Sequence, residues 1–73
     1  MEGEKMRKYL RKLREQSGLT QAETAKKLDI SESYYSLIEN GERQRRLNIS
    51  LVTKISRIFK VSVEDIAAEE EKI

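Results

Sequence analysis

The chain has no cysteine, histidine, proline or tryptophan, and only 5% of its residues are aromatic. The absence of cysteine excludes disulfides and thiolate metal sites and suits a reducing compartment, so a cytoplasmic location is expected. With no histidine, no cysteine and no glycine-rich phosphate loop, little is left from which to build an active site. Carboxylates are plentiful, but Glu69, Glu70 and Glu71 read as a solvated run near a terminus. The expectation is therefore no enzyme, no cofactor and no metal. No stretch approaches the ~20 apolar residues that a membrane helix needs. The start, Met1 to Lys5, leads into no apolar run, so neither a membrane span nor a signal peptide is expected.

What remains is short and highly charged. The 73 residues provide for one domain with a small core, and charged residues make up 38% of the chain. The net charge of +2 hides a strong division. Residues 1–18 carry +3, residues 19–41 carry −2, residues 42–60 carry +5 and residues 61–73 carry −4. The basic segment 42–60 fits a polyanionic partner, with a solvated basic loop as the alternative.

The hydrophobic spacing is helical throughout. Met6, Leu10 and Leu13 recur at i+3 and i+4 and predict an amphipathic helix over residues ~4–16. Gly18 is placed to end it in the left-handed conformation, with Leu19 folding back. Thr20 and Glu23 have the spacing of a capping box, which starts a second helix with a thin apolar face of Ala22, Ala25 and Leu28. Asp29-Ile30 is the turn. Ser31 caps a third helix with Tyr35 and Ile38 inward, and Asn40-Gly41 ends it. Asn48 or Ser50 caps a fourth helix whose inward set is Val52, Ile55 and Phe59. Ser62 and Asp65 form a weaker capping box for a fifth helix carrying Ile66. The predicted fold is all-α, five short helices in a single domain over residues 1–73, with its core in 6–66 and an acidic tail at 67–73.

The order of these elements resembles the Xre/Cro-type, lambda-repressor-like helix-turn-helix family over Leu10 to Ile66. The residues that carry the resemblance are Leu10-Arg11-Lys12-Leu13-Arg14-Glu15, Gly18-Leu19-Thr20-Gln21-Ala22-Glu23, Ala25, Ser31, Ile38-Glu39-Asn40-Gly41 and Val61-Ser62-Val63-Glu64-Asp65-Ile66. The resemblance implies a sequence-specific regulator of transcription, most often a repressor, that binds double-stranded DNA at a palindromic operator as a homodimer. It places Gln21 over a phosphate at the start of the second helix, where free N–H groups and the helix dipole also favour an anion. It places Glu32, Ser33, Ser36 and Leu37 toward base edges, Tyr34 at the rim, and Arg14 with Glu39 in a partly buried ion pair. Directly after this helix, Arg43, Arg45 and Arg46 are expected to clamp the DNA backbone, whereas Lys8, Arg11 and Lys12 read as ordinary surface.

Several residues depart from the family pattern. Asp29 stands where glycine is usual, Thr24 replaces a usual leucine, and the loop after Gly41 is two residues longer and lacks the customary proline. Glu32 at the head of a DNA-facing helix has three readings. It accepts a hydrogen bond from cytosine, it favours its own helix N-terminus, or the helix does not read DNA. Ser33 and Ser36 either bond bases or keep the face slim. Leu37 is expected on thymine methyls, with a dimer seam as the alternative. Tyr34 and Tyr35 point about 100° apart, so Tyr35 is assigned to the core and Tyr34 to sugar–phosphate or a thymine methyl. A dimer surface is expected on the fifth helix and tail, near Val63, Ile66 and Ile73. The competing function is a protein-interaction module, such as an antitoxin-like partner, that keeps the fold without reading DNA.

Overall fold

The computed structural model describes residues 6–73. They form five helices and, among the described residues, no strand: α1 (Lys8–Gln16), α2 (Gln21–Leu28), α3 (Glu32–Glu39), α4 (Ile49–Phe59) and α5 (Val63–Glu71). This is the expected all-α architecture. Helix α2 packs on α3 and α4, α1 packs on α3, and α4 packs on α5. The core is one cluster of Leu10, Ala25, Leu28, Tyr35, Ile38, Leu51, Ile55 and Ile66. No helix among the described residues is long and apolar enough to cross a membrane.

Local signals set most of the boundaries. Helix α1 ends as expected, with Gly18 at φ 70° and the Leu19 N–H bonded to the Arg14 carbonyl. Its start differs. The Arg7 N–H donates to the Glu39 carbonyl at 2.9 Å, which fastens the chain to the end of α3 and delays the helix to Lys8. Residues 4 and 5 of the expected helix lie outside the described residues. At α2 both halves of the capping box form. The Glu23 N–H donates to Thr20 Oγ1 at 3.0 Å, and the Thr20 N–H donates to Glu23 Oε1 at 2.9 Å.

The inward faces are corrected at several positions. In α2 the buried set is Thr24, Ala25 and Leu28, which leaves Ala22 exposed on the rim. Thr24 is fully buried, and its hydroxyl donates to the Thr20 carbonyl at 2.9 Å. That bond is why a polar residue is tolerated where a leucine is usual. In α4 the cap is Asn48, whose Oδ1 accepts from the Leu51 N–H at 2.8 Å. Leu51 and Ile55, one turn apart, form the buried pair, while Val52 and Phe59 flank it half-buried.

The largest corrections fall on α5. Ile66, expected on a dimer surface, is 1% exposed and belongs to the core, because α5 turns that face onto α4. Val63 and Ile73 do remain exposed, as does Ile49 at the start of α4. The helix continues through the acidic stretch to Glu71, so Glu70, four residues after Ile66, is brought back toward the protein and is not part of a solvated run.

Two helices end on left-handed residues other than glycine, Asp29 at φ 62° and Lys60 at φ 56°. The Asp29 turn holds because the Ile30 N–H reaches the Ala25 carbonyl at 3.0 Å and Lys54 Nζ reaches the Leu28 carbonyl at 3.3 Å. Lys60 has an ordinary Cβ in this region, a conformation that costs roughly 1–2 kcal/mol. Glycine relieves that cost but gains freedom in the unfolded chain. Lys60→Gly is expected to stabilise the fold by ~0.5–1 kcal/mol, a rise in Tm of roughly 2–8 °C that a thermal melt would detect.

Candidate nucleic-acid interface

Helix α3 is the element on which the candidate site is built, and Glu39 near its end fixes its position. Arg14 from α1 donates to Glu39 through Nε at 2.9 Å and Nη2 at 3.1 Å, a two-point pair. The remaining guanidinium nitrogen, Nη1, donates to the Leu19 carbonyl at 3.0 Å. Glu39 also accepts from the Tyr35 hydroxyl at 2.7 Å and from Gln21 Nε2 at 3.1 Å. One carboxylate therefore ties α1, the start of α2 and α3 together. The expected Arg14–Glu39 pair is present and well buried, with side chains 12% and 4% exposed. Burial alone would raise the Glu39 carboxyl, but the hydrogen bonds from Arg14, Tyr35 and Gln21 and the Arg14 charge outweigh it and hold the group below its ordinary value. Tyr35 is pushed up, first by burial and then by its bond to Glu39. Tyr9 is pushed up by burial and by its bond to Glu70.

These shifts set two edges of stability. The contribution of ionised Glu39 is present above the unfolded carboxyl value of about 4.3 and is lost as pH falls below it through the lower folded value. The contribution of protonated Tyr9 and Tyr35 is present below the unfolded phenol value of about 10 and is lost as pH climbs above it. Thermal melts between pH 3 and 11 are expected to show both losses, with the alkaline one reduced in Tyr35→Phe.

The expected base-facing residues come together. Glu32, Ser33, Ser36 and Leu37 line one shallow groove with Gln21, so the start of α2 and the outer face of α3 form a continuous surface. Glu32 and Ser33 are exposed, while Ser36, Leu37 and Gln21 are half-buried. Ser31 caps α3, its Oγ accepting from the Tyr34 N–H at 3.1 Å, and Glu32 occupies the first turn. Gln21 is committed in part to Glu39, which leaves one amide N–H for another acceptor. The two tyrosines separate as their helical spacing predicts. Tyr35 is fully buried, and Tyr34 is half-buried at the rim. The Tyr34 hydroxyl accepts from Gln44 Nε2 at 2.6 Å, which links α3 to the loop that follows it.

That loop presents Arg43, Arg45 and Arg46 as exposed side chains beside α3. Its backbone is anchored at several points. The Glu42 and Arg43 N–H groups donate to the Leu37 carbonyl at 2.8 and 3.2 Å. Arg7, a residue that sequence reasoning missed, donates to the carbonyls of Ile38 at 2.7 Å, Arg43 at 3.2 Å and Gln44. Arg7 is 2% exposed, and its charge is matched by Glu70 at 2.8 Å. Tyr9 completes the group by donating to the same carboxylate. A signal was present in the spacing. Arg7 lies three residues before Leu10 in the helix expected over residues ~4–16, and Glu70 lies four after Ile66, so both fall at inward spacing. Two charges of opposite sign on inward faces are candidates for a buried pair.

A cap-bounded helix pair, a solvent-facing groove on its second member and a basic loop directly after it define a helix-turn-helix protein of the DNA-binding class. The helix-turn-helix family HTH_3 matches residues 10–66, and the chain belongs to that family, of Xre or lambda-repressor-like type. It is similar to YqaF of Bacillus subtilis (strain 168), described as an uncharacterized HTH-type transcriptional regulator, with 38% identity over 66 residues covering 88% of this chain and 87% of YqaF. It is similar as well to the control protein C.MunI of a Mycoplasma species, with 39% identity over 66 residues covering 86% of this chain and 84% of that protein. No solved structure matches the chain significantly.

Proposed function

We propose that this protein is a transcriptional repressor that binds a palindromic DNA operator as a homodimer. The observation that carries the reading is the joining of Gln21, Glu32, Ser33, Ser36 and Leu37 in one groove, flanked by the exposed Arg43, Arg45 and Arg46. In this role the loop arginines and the N-terminus of α2 hold phosphates, while Glu32, Ser33, Ser36 and Leu37 meet base edges. Tyr34 supports the loop at the rim and adds sugar–phosphate contact. The base-facing set contains no positive charge. Affinity in this reading comes from the loop, and specificity comes from a few contacts repeated in two half-sites about one helical turn apart. Two copies on one site make those contacts sufficient. Val63 and Ile73 are the large exposed apolar residues of the C-terminal segment and the proposed start of a dimer surface. Relatedness to a control protein and to an HTH-type transcriptional regulator supports a regulatory role.

The test is selection of bound duplexes from a random pool, followed by gel shift at two salt concentrations. Enrichment of a two-fold symmetric sequence, with competitor-resistant shifts by a dimer, is the expected result. No shift at ~50 mM salt, where electrostatic binding is strongest, sinks the reading and leaves the fold as a protein-interaction module.

A further inference from the structure

We infer that Glu70 of α5, acting through Arg7, is a positioning residue for the arginine loop that grips DNA. The inference rests on the DNA-binding reading and adds to it a residue that lies outside the helix-turn-helix and touches no groove. The geometry is specific. Arg7 uses every N–H of its guanidinium. Nε and Nη2 go to the two Glu70 oxygens at 2.8 and 3.1 Å, Nη1 goes to the carbonyls of Ile38 and Arg43, and Nη2 goes also to the carbonyl of Gln44. The three carbonyls belong to the end of α3 and to the first part of the loop. Gln44 lies in the left-handed region at φ 55°, so the loop turns sharply where Arg7 holds it, and Arg45 and Arg46 follow directly.

The loop lacks the repeating backbone bonds of a helix, so its course depends on such anchors. Arg7 in turn depends on Glu70. A guanidinium that is 2% exposed needs a matching charge, and without one it is drawn toward water and releases the carbonyls it was holding. Tyr9 fixes the carboxylate from the other side. The chain Tyr9–Glu70–Arg7–loop thus transmits the placement of α5 to the proposed phosphate-binding side chains, across 63 residues of sequence between Arg7 and Glu70.

Two variants of the full chain separate positioning from plain stability. Glu70→Gln keeps the shape but removes the charge and turns an amide toward the guanidinium. The double variant Arg7→Met with Glu70→Leu fills the same space without charge or donors, a replacement that commonly preserves the fold. Amide hydrogen exchange of Glu42 and Arg43, whose N–H groups donate to the Leu37 carbonyl, is measured in the free protein. The log–log salt dependence of binding is measured on a duplex selected by the wild-type protein. Both variants are expected to exchange these amides about tenfold or more faster while the core amides of α2 and α3 stay protected. The salt slope is expected to fall by ~0.9 for each phosphate that the loop no longer neutralises, one or two phosphates in all. Recovery of the melting temperature in the double variant without recovery of the slope supports the inference. A folded double variant with wild-type loop exchange and wild-type slope overturns it, and so does failure of the double variant to fold, which would make the pair a requirement of the fold itself. If the wild-type protein binds no duplex, the DNA-binding reading falls, whereas the exchange measurement still decides whether Glu70 holds the loop.

Discussion

Arg14→Ala is expected to destabilise the protein by ~3–5 kcal/mol, enough to leave much of it unfolded at 37 °C. The magnitude follows from what remains after the guanidinium is removed. Glu39 is 3% exposed, and two of its four hydrogen bonds come from Arg14, so truncation leaves a carboxylate in the interior with Tyr35 and Gln21 as its remaining partners. A domain of this size has a total stability of only ~4–11 kcal/mol, so a single side chain removes a large part of it. Glu39→Ala is expected to cost a similar amount by stranding the arginine. Replacing both residues with apolar side chains, Arg14→Met with Glu39→Leu, is expected to recover much of the loss. It cannot recover all of it, because the Tyr35 hydroxyl then lacks its acceptor. Urea denaturation of the two single variants and the double variant measures the pair directly. Equal losses that simply add would show that the two residues act independently, against the geometry.

The triple variant Arg43→Ala, Arg45→Ala, Arg46→Ala is expected to bind a selected duplex at least ~100-fold more weakly at about 0.15 M salt, with a salt slope smaller by roughly 2.7 for each subunit of the bound dimer. The three side chains are exposed, so their removal costs little stability, and the melting temperature serves as the control. Sequence preference is expected to persist in this variant, because the groove residues are untouched. Glu32→Ala is expected to do the reverse and relax preference at one base pair by ~1–3 kcal/mol of discrimination if Glu32 accepts from cytosine. Titration of binding against salt, together with a panel of single-base changes, reads both effects. An unchanged slope in the triple variant would remove the arginines from the proposed interface and leave the reading without a source of affinity.

Much of the fold is legible in the sequence because its signals are local. The caps at Thr20, Ser31 and Ser62 and the stop at Gly18 each depend on residues within one turn of chain and each is present, although at Ser62 only half of the expected box forms, its Oγ accepting from the Asp65 N–H. Tyr35 and Ile38 separate from Tyr34 by helical angle alone. Spacing misleads where a face is chosen by a partner helix. Periodicity cannot say which side of a short helix meets α4, so Ile66 reads as outer surface and is in fact core. Ala22 has inward spacing but lies on the rim while Thr24 is buried, and in α4 Leu51 joins Ile55 at the centre of the core with Val52 and Phe59 packed half-buried against it. The proposed groove is readable only as separate positions on two helices, and their meeting depends on how α2 and α3 cross.

Residue type and spacing within each turn therefore decided the number of helices, their caps, the placement of a basic segment after α3 and the absence of thiol or imidazole chemistry. Those properties involve atoms a few bonds apart, and no distant neighbour is needed to set them. The Arg14–Glu39 pair was already implied by the resemblance, but the tertiary structure alone decided that Gln21 and Tyr35 join it on one carboxylate, and that Arg7 and Glu70 meet to hold the arginine loop. The desolvation of a charge and the direction of a guanidinium are consequences of burial between helices. Burial is a property of the whole packed chain, and in this protein it converts two inconspicuous residues near opposite ends into the support of its proposed binding surface.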